Sequence, residues 1–360
     1  MIPVMSKAQQ LRGTGRLAVD AVTGITNLVE AMHAEIARLP LTAQRERTSG
    51  ITGLAYRSVR GVTRLVGGGL DLALGALTPL LGQAEANRAS AAQAALNGVL
   101  GDYLEATANP LAIPMSLHPL VDGATGPALV FLHGLCMNEA QWRRDGADVP
   151  AALAALGYRP LGLRYNTGRA IWRNGAELAA LLDSVPGPIT LVGHSMGGLV
   201  ARSAIAQAGR GRWPKRLQAL VTLGTPHLGA PLERGGQHVQ QLLAFSGYSR
   251  PLAALAARRS AGIRDLRFGS LLEADAGKAS RVALPKGVAC YAVAGSLPKA
   301  PLLGDGLVTV ASALGQHREA ARRLAFTDTA LFTGLGHLAL QTDAAVLRQL
   351  QAWLSFTRPA

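Results

Sequence analysis

The run G-H-S-M-G at 193–197 sets Ser195 directly after the apolar stretch PITLVGHS (188–195) and directly before a helical stretch that opens at Met196. A sharp strand-to-helix turn pushes a serine hydroxyl out above a sheet edge. Glycines on either side spare the neighbouring strand and helix a collision. That is how a nucleophile for acyl transfer is presented, and the helix N-terminus behind it favours negative charge developing on a substrate. In a chain with 42 glycines the bare motif says little; its place at a strand–helix junction is what carries the assignment.

Such a serine needs a base, and the base an orienting acid, in the chain order serine, Asp or Glu, His. Of the eight histidines, only His317 and His337 follow the strand-like GVACYAVAG (287–295). His337 lies in G-L-G-H-L-A (334–339), a loop between the last strand and the last helix from which an imidazole reaches the turn. His317 sits in the polar, helical HREAARR and is read as solvated. Asp305, in L-G-D-G-L-V (303–308), falls in the loop after 287–295, whereas Asp328 lies inside the last strand and Asp343 follows the histidine. The expected triad is therefore Ser195, His337 and Asp305. Two backbone N–H groups must face the oxyanion. Met196 follows the nucleophile, and Leu135 lies in F-L-H-G-L-C (131–136), where His133 only shapes the turn.

The elements that must position these residues alternate. Apolar runs at 127–134, 159–166, 188–195, 217–226, 287–295 and within 322–334 are separated by helical stretches at 171–185, from Met196 to about Ala208, and at 342–354. Strands apolar on both faces, alternating with helices, predict a mostly parallel α/β sheet covered on both sides. Residues 228–286 are too long for a plain connection and read as a helical cap insertion. Its Leu242, Leu243, Phe245, Leu252, Leu255, Leu271 and Leu272 are interrupted by Arg250, Arg258, Arg259, Arg264 and Arg267. That composition suits either a lid that opens at a lipid surface or an ordinary cap with a solvated basic face.

The set F-L-H-G-L, L-V-G-H-S-M-G-G-L-V-A-R, L-V-T-L-G-T-P-H-L-G-A-P, G-D-G-L-V and G-H-L resembles the α/β-hydrolase superfamily. Within it, the set is similar to bacterial lipases and esterases of the triacylglycerol-lipase type, over roughly residues 127–354. The resemblance implies the α/β-hydrolase fold, acyl-ester or lipid substrates and no cofactor. Carried over by position, it gives the same triad and the same donors, with His194 structural. No aspartate pair for a structural calcium is identified. An acyltransferase using the same triad, or an inactive hydrolase-fold binding protein, are the alternatives.

Residues 1–110 form a helical N-terminal extension without counterpart in those lipases, and residues 111–360 the catalytic domain. In the extension, helical patterns cover 14–39 and 84–106, and the proline-rich NPLAIPMSLHPL (109–120) reads as extended linker. Arg57, Arg60 and Arg64 recur at three- and four-residue spacing before the apolar run 65–82. The pattern suits an interfacial helix on an anionic membrane or lipid granule, or a glycine-rich hairpin packed on the main domain.

Composition sets the outer limits. Apolar types make up 49% and charged types 16% of the 360 residues, so a packed core is expected. The net charge is +14, almost all of it in residues 128–360 and mostly arginine. A surplus of this size attracts phosphate-rich surfaces. With 4% aromatics, no zinc-finger spacing and no dense Lys/Arg run, nucleic acid is not the expected partner. Two cysteines make no disulfide framework, and the first twenty residues lack a secretion signal's apolar core. The expected location is cytoplasmic, with peripheral membrane contact.

Overall fold

The protein is described from a computed structural model at residues 7–36, 57, 58, 60, 61, 63, 64, 86–229, 260–298 and 304–356. Seven strands form one sheet: β1 (Ser116–Pro119), β2 (Ala128–Leu132), β3 (Arg159–Arg164), β4 (Ile189–His194), β5 (Leu217–Leu223), β6 (Ala289–Ser296) and β7 (Asp328–Thr333). Their spatial order is β1-β3-β2-β4-β5-β6-β7. Only β1 runs antiparallel to its neighbour; all other pairs are parallel.

The alternation of side chains along β2 explains why its sequence is apolar throughout. Val130 and Leu132 enter one buried cluster with Leu163, Ile171, Leu178, Leu199 and Trp213. Leu129 and Phe131 enter the opposite one with Trp142, Val192, Val221, Val293 and Trp353. A strand with both faces in a core needs no polar alternation. The order brings β2 and β5 to either side of β4 at the centre of the sheet. The C-terminal ends of β2 and β4 thus lie side by side, where ligands of open parallel sheets bind.

The helices are α1 (Lys7–Ile36), α2 (Ala86–Ala106), α3 (Val149–Ala154), α4 (Ile171–Asp183), α5 (Met196–Ala206), α6 (Ala261–Phe268), α7 (Val310–Ala313) and α8 (Ala344–Phe356). No helix among the described residues is long and apolar enough to cross a membrane. The described residues fall into two compact units. One holds Ser90–Glu105 and Ala112 onward; the other holds α1, the described part of 57–64 and Ala106–Leu111. In the first unit Ala94, Ala95, Val99 and Leu104 of α2 are buried, and Val99 belongs to the same core cluster as Leu135 and Met196. In the second, Asn109 Nδ2 donates to Gly13 O at 3.1 Å.

Two expectations change. The proline-rich segment 109–120, read as a linker, contains the edge strand β1, paired over Ser116–Pro119 with Leu161–Arg164. Pro119 is tolerated because β1 lies at the sheet edge, with one side free of ladder partners. The arginine stripe is also divided. Arg60 is buried and donates to Asn27 Oδ1 at 3.2 Å, while Arg57 and Arg64 are exposed, so the three do not share one solvent face. The apolar run 65–82 lies outside the described residues, as do Leu242, Leu243, Phe245, Leu252, Leu255, Arg250, Arg258 and Arg259 of the cap. The described end of the cap is helix α6, whose Ile263 and Leu266 are buried in the main core. Its Asp265 carboxylate accepts the Ile171 N–H at 2.8 Å, at the start of α4.

Candidate active site

Ser195 joins β4 to α5 with φ 54° and ψ −122°, a left-handed backbone that side chains other than glycine seldom adopt. Its N–H donates to Leu223 O at the end of β5, at 2.9 Å. The turn is closed by steric fit. A Cβ on Gly193 would stand 2.5 Å from Gly198 N, one on Gly197 2.4 Å from Leu132 O, and one on Gly198 2.1 Å from Thr225 Oγ1. The glycines around the serine are there because β2, α5 and the loop after β5 crowd the turn.

The residue following Leu223 is Gly224, and a Cβ there would stand 2.9 Å from Asp305 Oδ2 and 3.1 Å from His337 Nδ1. The peptide that anchors Ser195 therefore lies next to the His337–Asp305 pair. That pair is buried: His337 Nδ1 donates to Asp305 Oδ2 at 2.7 Å. The other carboxylate oxygen, Oδ1, accepts the N–H groups of Leu307 (3.0 Å) and Val308 (2.8 Å), and the Asp305 carbonyl accepts the His337 N–H at 3.0 Å. A carboxylate that uses both oxygens as acceptors is held in one orientation. With the proton on Nδ1, Nε2 carries the lone pair, and Nε2 is buried without a hydrogen-bond partner. It is not bonded to Ser195 Oγ in this structure; in unliganded sites of this type that contact often tightens only when substrate binds.

Three further imidazoles surround the turn, and all are neutral. His194 Nε2 donates to the His337 carbonyl at 3.0 Å, and the two rings lie 4.7 Å apart. Burial, followed by the charge of His337, pushes the His194 pKa well below that of a free histidine. His133 stacks on Tyr165 at 4.5 Å, and its carbonyl accepts the Tyr165 hydroxyl at 2.6 Å. Burial lowers its pKa to about 4. His227 accepts at Nδ1 from Arg202 of α5 at 3.2 Å, and its Nε2 donates to Thr222 Oγ1 at 3.2 Å, which passes a bond to Tyr291 O. Burial, then the Arg202 charge, again holds that ring neutral. The sequence offered no sign of these contacts: most join residues far apart in the chain, through ring nitrogens and carbonyls.

A pH dependence follows from neutral burial. In the unfolded chain each of these rings takes up a proton below about pH 6.5, while in the folded state uptake waits for lower pH, about 4 for His133. Between those values the unfolded state holds more protons, so stability is complete above the unfolded pKa and falls with pH. His133 alone contributes on the order of 3 kcal/mol across that window. The thermal midpoint is expected to drop by about 5 °C or more between pH 7.5 and 5; a midpoint that stays flat over that range contradicts neutral burial.

The loop after β2 lies against the serine. A Cβ on Gly134 would stand 3.1 Å from Ser195 Cβ, so residues 133–135 lie against the serine. The Leu135 N–H takes no partner among the described residues. Met196 heads α5, where an N–H has no carbonyl of its own helix to bond. The acids and base set aside in the sequence have other work. Asp328 accepts the Trp353 indole N–H at 2.8 Å, Asp343 accepts the Ala345 N–H at 2.7 Å at the start of α8, and His317 accepts the Glu319 N–H at 3.0 Å. Among the described residues no group of three or more His, Cys, Asp or Glu could hold a metal ion.

A family model described as a PGAP1-like alpha/beta domain matches residues 178–255, a stretch that includes the serine turn and G-T-P-H-L-G-A-P. Lipase LipV of Mycobacterium tuberculosis is 32% identical over 165 residues, which cover 42% of this chain. The chain is similar to these proteins over part of its length. Its match spans 58% of the length of that curated relative. Among solved structures, the chain is similar to the mature form of Bacillus licheniformis lipase BlEst2, with 22% identity, TM-score 0.45, and coverage of 67% of this chain and 98% of the other. It is also similar to the esterase RhEst1 from Rhodococcus sp., with 18% identity, TM-score 0.46, and coverage of 69% and 96%.

Proposed function

We propose that the protein is a serine carboxylic-ester hydrolase of the lipase/esterase kind, with Ser195 as nucleophile, His337 as base and Asp305 as its orienting acid. The observation that carries this reading is the His337–Asp305 bond of 2.7 Å, which fixes the tautomer and leaves Nε2 buried without a partner, next to the Leu223–Gly224 segment whose Leu223 carbonyl anchors a serine at φ 54°. His337 Nε2 takes the Ser195 proton as the hydroxyl oxygen attacks the ester carbonyl. Asp305 stabilises the imidazolium, and the N–H groups of Leu135 and Met196 hold the oxyanion. Each such donor is worth about 3 kcal/mol in the transition state. Collapse of the tetrahedral intermediate expels the alcohol, which takes its proton from His337. Water, deprotonated by the same nitrogen, then releases the acid from the serine ester. No step requires a cofactor.

The sequence similarity to LipV supports an acyl-ester substrate. The arginine-rich charge of the catalytic part supports contact with anionic lipid surfaces. The deciding experiment is turnover of p-nitrophenyl esters from acetyl to palmitoyl. Hydrolysis of at least the shorter members is expected, and absence of turnover at every chain length removes the enzyme reading. Binding to vesicles of anionic phospholipid, strong at low salt and lost at high salt, is the expected result for the membrane contact. Equal binding to zwitterionic vesicles contradicts a role for the charge.

A further inference from the structure

Helix α2 contributes no group to the proposed chemistry, yet it lies against the loop that carries the Leu135 N–H. At Gly98 a Cβ would stand 2.1 Å from Cys136 Sγ and 3.0 Å from the Cys136 backbone; at Gly101 one would stand 1.8 Å from Asn166 Oδ1. Glycine in a helix interior costs about 1 kcal/mol relative to alanine. Two of them, three residues apart on one face of α2, let this helix backbone approach two loops that flank the site.

Cys136 is gripped from both sides. It holds φ 60°, rare for a residue with a side chain. Its N–H donates to Thr167 Oγ1 at 3.1 Å and its thiol faces Ala95 O at 3.7 Å. The Met137 N–H closes the turn onto Gly134 O at 3.3 Å. The peptides between Gly134 and Met137, including the Leu135 N–H, are thereby fixed relative to α2. The same helix also ties in the neighbouring loops. Ser260 Oγ donates to Gly98 O at 2.8 Å, the Ala261 N–H to Asp102 Oδ2 at 3.0 Å, and Asn166 Nδ2 to Gly101 O at 2.9 Å.

We propose that α2 is a positioning element of the acyl-transfer site, which aims the Leu135 N–H at the oxyanion through the contacts of Gly98 with Cys136 and of Cys136 with Thr167. This rests on the serine-hydrolase reading above. It makes part of the N-terminal region a component of the catalytic apparatus.

The test is a complementation. In Gly98→Ala the new methyl strikes the Cys136 thiol. We expect kcat for a short p-nitrophenyl ester to fall about tenfold or more, part of the roughly 10²–10³-fold that loss of a whole oxyanion donor costs, with KM little changed. Affinity for an alkylboronic acid, whose tetrahedral serine adduct needs the same donors, should fall in parallel. Adding Cys136→Gly removes the thiol at a backbone angle glycine accepts freely, and should restore most of the lost kcat. A folded Gly98→Ala protein with wild-type kcat, or a loss that Cys136→Gly does not repair, overturns the proposal. Should Gly98→Ala fail to fold, Thr167→Val, which takes the acceptor from the Cys136 N–H, decides. A kcat loss at constant KM supports the role of α2, and an unchanged kcat overturns it. A wild-type enzyme without ester turnover removes the hydrolase reading on which the proposal stands, whereas an active wild type with an unaffected variant removes only the role of α2.

Discussion

Ser195→Ala is expected to lower kcat for a short-chain ester by about five to six orders of magnitude, the range seen when a serine hydrolase loses its nucleophile. The residual rate, about 10³–10⁴ above water, comes from the oxyanion donors and substrate binding alone. The structure makes this a clean substitution. The backbone at 195 is set by the Ser195 N–H bond to Leu223 O and by the glycines around it, none of which the change touches. Alanine meets the same left-handed strain that serine already bears. The thermal midpoint should therefore stay close to that of wild type while turnover disappears. Pre-steady-state kinetics with p-nitrophenyl acetate adds a second readout. Wild type should release about one equivalent of nitrophenol in a burst if deacylation is the slower step, and the variant none. Unchanged turnover in the variant would remove Ser195 from the mechanism.

The core of the sheet could be read from sequence because its strands are buried on both faces. β2, β4 and β5 announce themselves as unbroken apolar runs bounded by turn residues, and Ser195 by the turn between β4 and α5. β1 gave no such signal. An edge strand of four residues that contains Pro119 looks like a linker until its register with β3 is seen. Arg60 looked like part of a cationic face because spacing reports which residues share a helix side, not which side is covered. The candidate triad depended on chain order and loop position, both legible. The partners that hold it were not. His194 reaches the His337 carbonyl across 143 positions, and Gly98 meets Cys136 through the absence of a side chain. An alanine-rich helix such as α2 carries few residues that advertise chemistry, and its use lies in how closely its backbone can be approached.

Asp305→Asn is expected to cost about 10⁴-fold in kcat near neutral pH, and the reason lies in how the two carboxylate oxygens are spent. Oδ1 accepts the N–H groups of Leu307 and Val308, so an asparagine must keep its carbonyl oxygen there to satisfy them. Its amide nitrogen then faces His337 Nδ1. Two donors cannot meet, so the ring shifts its proton to Nε2, the atom that must receive the Ser195 proton. The loop is preserved and the tautomer is wrong. A folded protein with a thermal midpoint near wild type, unchanged KM and a collapsed kcat is the expected combination. Asp328→Asn is the matched control. Its oxygen can still accept the Trp353 indole N–H at the far end of β7, and kcat should stay within about threefold, as for changes away from the reacting groups. Were Asp305→Asn to keep wild-type kcat while Asp328→Asn lost it, the orienting acid would be reassigned, and with it the direction from which His337 is held.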